Sequence, residues 1–314
     1  WQVATEIEFT NIVASGVAQS SAETAYTCKV DATGLAANQS YFYRFVSDRH
    51  VSPIGRTKTL PINPRKFRIA LFSRQNFSAG WFTAYKHLIN DQPDLIIILG
   101  DNIYDQTWYG TARQDLPNRP PDLDFYRQKY KLYRNDPYFR NALAKFPVAA
   151  IWDDHEVQND YAGLTPGTFG PYVSDFPKRR AAAYQAYYEH MPLKSSVLID
   201  GLNGLMKGAE MRIYGDFQFG KLANICMLDD RQYRDPGACT PSGSGSAIFD
   251  PKGCPELNRE DRSILGGDQE RWLAGKLRGA DKNIWNVIGQ PTLYAQRYFP
   301  SGDQLLIWND GWDG

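Results

Sequence analysis

The hydrophobic pattern of the chain changes near residue 61. Before that point, short segments alternate apolar and polar residues, and turn-forming residues separate them. These segments are EIEFTNIVASG, ETAYTCKVDATGL and QSYFYRFVSD. Alternation with a period of two predicts half-buried strands, and a spacing of about a dozen residues is typical of a β-sandwich. We therefore expect residues 1–60 to form part of a small antiparallel β-sandwich, followed by a linker at 61–66 that contains two prolines.

Residues 67–314 alternate apolar runs with helical patterns. The runs that we interpret as strands are 67–73, 94–100, 147–153, 222–229, 283–290 and 304–309. Near-continuous apolar runs are typical of strands that helices cover on both faces. The helical patterns are FTAYKHLIND, RRAAAYQAYYEHM and QERWLAGKLRGA, and the second places Tyr184, Tyr187, Tyr188 and Met191 on one core-facing side. Alternating strands and helices predict a layered α/β domain.

The length and charge of the chain predict two domains and disfavour a role in binding nucleic acid or membranes. A chain of 314 residues fits one small and one medium domain, because single cores seldom grow beyond about 250 to 300 residues. Lys plus Arg and Asp plus Glu both number 35, so no net field favours nucleic acid or an anionic membrane. The sequence contains nothing close to the run of about 20 apolar residues that a transmembrane helix needs.

Two of the four cysteines bracket a flexible loop. Cys239 and Cys254 enclose CTPSGSGSAIFDPKGC, which is rich in Gly, Ser and Pro. A disulfide there would stabilise the fold by about 3 kcal/mol through loop-closure entropy, and it would indicate an oxidising compartment. We therefore expect a secreted, extracellular or periplasmic protein. Two unrelated free thiols remain the alternative.

Polar clusters follow the apolar runs, and this is where open α/β sheets bind ligands. If the runs are neighbouring strands, several carboxylates lie near one rim: Asp101, Asp153, Asp154, Asp229 and Asp230. Buried carboxylates this close together need a cation. Oxygen-rich ligands with a His or Tyr contribution favour hard metals such as Fe(III), Ca, Mg or Mn.

Taken in order along nearly the whole chain, a set of motifs resembles the alkaline phosphatase D (PhoD)-like family of calcineurin-like metallophosphatases. The motifs are GDNIYD, WDDHEVQNDYA, RRAAAYQAYYEHMP, LDDRQYRDP, LGGDQERWL and WNDGWDG. The resemblance implies a metallophosphatase-type α/β catalytic domain with a small N-terminal β-sandwich. It also implies a site with ferric iron and calcium that hydrolyses phosphate monoesters and diesters.

The resemblance also assigns roles to individual residues. Asp101 would bridge two metals, and Tyr104 would bind iron as a phenolate. Asp154 would bind the second metal, with Asn159 as a weaker candidate. His155 would stand beside the phosphate, where it would stabilise the transition state or protonate the leaving group. Two metals in such a site can polarise phosphoryl oxygens and lower the pKa of a bound water.

Two features depart from the family pattern. The first strand of the family normally ends in Ser-Cys-Gln with the thiolate on iron, whereas this chain has Arg74, which has no lone pair to offer a metal. The family also has a Gly-Asp-Val-His segment beyond WDGY, whereas this sequence ends at Gly314, so we expect a longer protein. Two hypotheses follow: a working phosphohydrolase, or a non-catalytic scaffold in which Arg74 neutralises the acidic rim. A third interpretation, a calcium-dependent phospholipase D-type diesterase, shares the fold and differs in substrate.

Overall fold

A computed structural model describes residues 1–107, 112–167, 174–241, 243–279 and 282–312. The first 60 residues contain a four-stranded antiparallel sheet in the order β2-β1-β3-β6 and a two-stranded hairpin of β4 and β5. The strands are β1 (Gln2–Ala4), β2 (Ile12–Ser15), β3 (Ser40–Arg44), β4 (Val46–Ser47), β5 (His50–Val51) and β6 (Gly55–Lys58). The predicted antiparallel β architecture of this region is confirmed.

A parallel three-stranded sheet, in the order β7-β8-β9, forms the first part of the α/β region. Its strands are β7 (Ile69–Phe72), β8 (Leu95–Leu99) and β9 (Val148–Ile151), and its helices are α1 (Ala84–Asp91), α2 (Leu123–Arg134) and α3 (Pro137–Lys145). Ile96 to Ile98 of the central strand are fully buried, as expected for a strand covered on both faces. The predicted strands and the helix in FTAYKHLIND are present.

Two further sheets complete the region. One runs β10-β11-β13 and the other β12-β15-β14. Their strands are β10 (Gly215–Phe219), β11 (Ala223–Met227), β12 (Ile248–Phe249), β13 (Trp285–Gly289), β14 (Arg297–Ser301) and β15 (Gln304–Trp308), with helices α4 (Phe176–His190), α5 (Gly201–Met206) and α6 (Gly267–Leu277). The mixed α/β fold predicted for residues 67–314 is thus confirmed.

The tyrosine-rich face of α4 lies in the core, as its spacing predicts. Tyr184, Tyr187 and Met191 are each at most 1% exposed. Trp152, which directly follows β9, stacks on Tyr184 with ring centroids 4.2 Å apart. This packing anchors the loop after β9, which carries the candidate site residues.

One predicted strand is wrong. The segment ETAYTCKVDATGL begins within a short 3₁₀ turn, Ala22–Thr24, and contains no strand. Its polar groups bond to the α/β region instead: Lys29 Nζ donates to the carbonyl oxygens of Glu189 and Met191, and Gln185 donates to the carbonyl oxygen of Glu23. These contacts with the end of α4 replace the ladder that the alternating pattern suggests.

Helices α2 and α3 escaped the sequence analysis, although both carry recognisable start signals. Asp122 caps the first, and Asp136 caps the second with Pro137 at its first position. Among the described residues, no helix is both long enough and apolar enough to cross a membrane.

Candidate metal centre at the strand ends

Three loops meet at the carboxyl edge of the parallel sheet, because the parallel strands β7, β8 and β9 all end there. The loop after β8 supplies Asp101 and the loop after β9 supplies Asp154 and His155, with one potential ligand atom from each of these residues lying within 4.8 Å of the others. All three residues are at most 5% exposed. The sequence prediction placed these side chains at one rim, and the structure brings them into one buried cluster.

The turn after β8 aims Asp101 into this cluster through an unusual backbone. Gly100 and Asp101 both have positive φ, at 72° and 52°. A Cβ on residue 100 would collide with the backbone nitrogen of Asp153, so glycine is needed there. Asp101 pays a conformational cost for its left-handed geometry, and such strain persists only where neighbouring contacts hold it.

Glu156 supplies those contacts. Its buried carboxylate accepts from the backbone N–H groups of Asp101 (3.1 Å), Asn102 (2.6 Å) and Asp153 (2.9 Å). It also accepts from the side-chain amide of Asn102 at 3.1 Å. One carboxylate thereby ties the loop after β8 to the loop after β9. Nothing in the metallophosphatase resemblance drew attention to Glu156, because its role depends on backbone groups far away in sequence.

The two oxygens of Asp101 have different environments. Oδ2 accepts from the Tyr104 hydroxyl at 3.1 Å and from the Arg74 guanidinium at 3.3 Å. Oδ1 is buried and has no hydrogen-bond partner among the described residues. Burial raises the pKa of Tyr104, and the charge of Asp101 raises it further. The phenol is therefore a hydrogen-bond donor in this structure.

Arg74 bridges two acidic residues of the rim. Its Nη2 lies 3.2 Å from Asp153 Oδ2, in addition to the contact of Nη1 with Asp101. Its side chain is 47% exposed, whereas both carboxylates are buried. The guanidinium therefore stands at the mouth of the cluster, on the side where the family resemblance places a thiolate ligand.

A second arginine, which the sequence analysis missed, neutralises the deeper part of the rim. Arg231 is fully buried and donates from Nε to Asp153 Oδ1 at 2.7 Å. Its other nitrogens bond to Asp310 at 2.5 and 2.8 Å. One of the acidic residues predicted at this edge, Asp153, is thus compensated by a protein cation that also pairs with Asp310. The sequence signal for this role was the motif LDDRQYRD, in which Arg231 directly follows two aspartates at the end of an apolar run.

Asp229 and Asp230 do not join the cluster, although the sequence analysis placed them at the same rim. Asp229 accepts from the indole nitrogen of Trp152 at 2.8 Å and from backbone N–H groups of its own loop. Asp230 accepts from the hydroxyl of Thr292 at 2.7 Å. Protein donors therefore satisfy Asp229, whereas Asp230 Oδ1 is buried and has no hydrogen-bond partner among the described residues. Neither residue belongs to the group formed by Asp101, Asp154 and His155.

Asp154 keeps one oxygen available. Its Oδ2 accepts from the backbone N–H of Asp160 at 2.7 Å, while buried Oδ1 has no hydrogen-bond partner among the described residues. Burial alone would raise the pKa of Asp154, but the charges of His155 and Arg231 outweigh it and hold the pKa below its ordinary value. Asp154 is therefore anionic in this environment.

His155 is held in a fixed orientation. Its Nδ1 lies 2.8 Å from Asp105 Oδ1, and Asp105 in turn accepts from Arg179 at 2.9 Å. The ring stacks on Tyr104 with centroids 4.2 Å apart. Burial would lower the pKa of His155, but the carboxylates of Asp154, Asp101 and Asp105 raise it to about 10.

Asn159, the weaker ligand candidate of the sequence analysis, lies in the loop after β9 and is partly exposed.

The donor set fits a hard cation on one side of Asp101 only. Two unpartnered carboxylate oxygens, Asp101 Oδ1 and Asp154 Oδ1, are the ligand type that calcium, magnesium and manganese prefer. On the other side, Asp101 Oδ2 already bonds to Arg74 and Tyr104. Arginine offers no lone pair, so the residues there do not match the iron position of the family pattern.

The fold and these motifs place the chain in a known family. Residues 69–314 match the PhoD-like phosphatase family, and residues 1–61 match the N-terminal domain of PhoD-like phosphatases. The chain therefore belongs to the PhoD-like phosphatase family.

Individual relatives agree with this assignment. The chain is 36% identical, over its whole length, to "Alkaline phosphatase D" of Bacillus subtilis (strain 168), of which it spans 53%. It superposes on the solved "Structure of PhoD" with a TM-score of 0.86 at 37% identity, covering all of this chain and 59% of that one. A part of 137 residues is 27% identical to "Purple acid phosphatase 15" of Arabidopsis thaliana.

Proposed function

We propose that this chain forms the phosphoester-hydrolysing part of a secreted, metal-dependent alkaline phosphatase or phosphodiesterase. The observation that carries the proposal is the buried cluster of Asp101, Asp154 and His155, in which two carboxylate oxygens lack hydrogen-bond partners among the described residues. Buried polar atoms are nearly always satisfied, so such a pair of oxygens supports a cation site. Membership of a phosphatase family supports phosphate esters as the substrates.

We assign the residues of this chain as follows. Asp101 and Asp154 would hold a Ca(II)-type cation, with Asn159 as a further ligand. The family resemblance would place Fe(III) at Asp101 and Tyr104, but the positive charge of Arg74, which bonds to Asp101, opposes a cation there. A cation in such a site polarises phosphoryl oxygens and lowers the pKa of a bound water.

His155 would act on the leaving group. Its contact with Asp105 and its stacking on Tyr104 orient the ring, and a fixed ring is what a proton donor needs. One ring nitrogen is engaged by Asp105, and the other would donate a proton to the leaving-group oxygen of the ester. This assignment rests on the geometry of the ring.

The domain assignment and localisation belong to the same proposal. We assign residues 1–60 to an N-terminal β domain, 61–66 to a linker and 67–314 to the catalytic domain. The predicted disulfide between Cys239 and Cys254 is confirmed, with an S–S distance of 2.09 Å. A disulfide supports an oxidising compartment, which fits secretion or a periplasmic location.

The contact of Arg74 with Asp101 and Asp153 favours a second candidate function. In that case the guanidinium neutralises the rim in place of iron, and the chain is a non-catalytic member of the family. Metal analysis of the purified protein separates the two. Stoichiometric bound iron supports a two-metal enzyme, whereas the absence of any bound metal supports the scaffold.

Activity is the direct test. The chain should hydrolyse an aryl phosphate monoester or diester slowly in the presence of Ca²⁺, and Asp154→Asn should reduce that rate by at least about a hundredfold, because it removes one anionic ligand. Asp268→Asn is a matched control, since Asp268 is exposed and pairs with Arg271, three residues further along the same helix. Equal rates for the Asp154 variant and the unmodified chain would refute the assignment.

A further inference from the structure

A second cavity lies at the opposite end of the parallel sheet. It has a volume of about 660 Å³, and residues of β1, β3 and β6 line it together with the ends of α2, α3 and α4. Val148, the first residue of β9, lies in its wall, whereas Asp154 follows the far end of that strand. At about 3.3 Å per residue, β9 alone separates the cavity wall from the loop that carries the cluster by about 10 Å.

The charge of the lining is strongly unbalanced. One carboxylate, that of Asp31, stands against five lysine and arginine side chains: Lys29, Arg44, Arg56, Arg134 and Lys194. The excess is four positive charges in one cavity of a chain whose overall net charge is zero. Such a local excess is not a consequence of composition.

Within the described part of the chain, none of the five cations forms a salt bridge. Lys29 Nζ donates to two backbone carbonyl oxygens, those of Glu189 and Met191, at 3.2 and 2.5 Å. Arg134 donates to the carbonyl oxygen of His190 at 3.1 Å. Backbone carbonyls orient these side chains but carry no compensating charge.

The carboxylate of Glu189, a residue whose carbonyl oxygen accepts from Lys29, is already engaged elsewhere. Glu189 accepts from Arg127 at 2.6 and 2.7 Å, and from the Gln185 amide at 2.9 Å. Burial lowers the pKa of Lys29 to about 8, and the nearby charge of Arg134 adds to this effect. Burial also lowers the pKa of Arg134. The folded protein thus holds like charges together at a cost that a bound anion would relieve.

We propose that this cavity between the N-terminal sheet and the α/β region binds a small soluble anion of the phosphate type that carries at least two negative charges. Lysine and arginine bind phosphate oxygens through charge-assisted hydrogen bonds. A volume of about 660 Å³ falls in the range of ligand pockets, and the apolar wall formed by Leu143, Phe146 and Leu193 accommodates an organic body attached to the phosphate. This site is independent of the proposed phosphatase activity.

Calorimetric titration with pyrophosphate, in metal-free buffer at fixed ionic strength, tests the proposal. Lys194→Gln and Lys29→Gln should each weaken pyrophosphate binding by about tenfold, because each removes one positive charge from the lining. Lys194 is exposed, and its one hydrogen bond among the described residues uses its backbone carbonyl, so replacing its side chain should preserve the fold. The exposed Lys207 lies outside the cavity lining, so Lys207→Gln is the control with the same charge change, and it should bind normally.

A third variant distinguishes the cavity from the metal cluster. Arg74→Met removes the exposed cation at the mouth of that cluster and should leave pyrophosphate binding unchanged. The proposal is overturned if the unmodified chain does not bind pyrophosphate, if both lysine variants bind it normally, or if Arg74→Met alone abolishes binding. Binding to phosphatidylglycerol vesicles without any binding of pyrophosphate would also overturn it, since the ligand would then be a lipid surface.

Discussion

Replacing Arg74 by methionine should raise the affinity of the Asp101–Asp154 cluster for a divalent cation. The guanidinium lies 3.3 Å from Asp101 Oδ2 and 3.2 Å from Asp153 Oδ2, so its positive charge repels a cation bound by the unpartnered oxygens Asp101 Oδ1 and Asp154 Oδ1. Two unit charges 4 Å apart interact by about 1 kcal/mol in water and about 4 kcal/mol at an effective dielectric constant of about 20.

The side chain of Arg74 is 47% exposed, so solvent screening places the effect near the lower of these values for each unit charge. For a divalent cation this gives about 2 kcal/mol, which corresponds to a gain of about 30-fold in affinity. Equilibrium dialysis with Ca²⁺ measures the change, and atomic emission analysis of the dialysed protein measures bound iron.

Arg119→Met is a matched control for this experiment. Arg119 is also partly exposed and also pairs with two aspartates, Asp122 and Asp124, but in a different part of the fold. Its replacement should leave cation binding unchanged. If Arg74→Met bound Ca²⁺ no more tightly than the unmodified chain, Arg74 would not control the cluster, and the electrostatic argument would be wrong.

The related replacement Arg74→Cys tests the iron position. It restores the residue that the family pattern has after the first strand and changes the local charge by about two units relative to arginine if the thiol ionises. In a longer chain that supplies the downstream Asp and His, this variant should gain both bound iron and phosphatase rate. Rapid turnover and stoichiometric iron in the unmodified chain would instead show that Arg74 does not oppose the metal.

Two further predictions concern stability. In Glu156→Gln, an amide NH2 group replaces one of the carboxylate oxygens that accept backbone N–H bonds. This variant should lower the free energy of unfolding in urea by about 2 to 4 kcal/mol. The control Glu260→Gln, at an exposed residue, should change it by less than about 0.5 kcal/mol. Replacing both Cys239 and Cys254 by serine should lower the free energy of unfolding by about 3 kcal/mol and lower the melting temperature. Cys28→Ser, at a free cysteine, should change neither. Equal melting temperatures for the two variants would contradict the loop-closure argument.

The contacts of Arg74 also bear on how this chain relates to its family. The cluster of Asp101, Asp154 and His155 is present and buried, whereas the neighbouring ligand position is occupied by a cation that binds two carboxylates. The two proposed functions differ in whether a metal can bind while Arg74 contacts Asp101 and Asp153. The Arg74→Met measurement therefore tests whether Arg74 weakens metal binding at this site.

The sequence by itself determined the features that local pattern encodes. Continuous apolar runs fixed the strands of the α/β region, and the polar residues after them placed Asp101, Asp154 and His155 at one edge of the sheet. The spacing of tyrosines fixed the buried face of α4, and two cysteines around a flexible loop predicted the disulfide. Each of these follows from neighbours within a few residues or from the rule that parallel strands end at one edge.

Only the tertiary structure decided which charges pair. Arg231 compensates Asp153 and Asp310 from 78 and 79 positions away, and Glu156 binds backbone groups more than 50 positions earlier. Tertiary contacts also decided the structure of the segment that begins at Glu23. Its alternating pattern predicted a strand, but the segment contacts α4 instead. Periodicity records which side of an element is apolar, whereas the partner of a buried charge depends on distances that exist only after the chain has folded.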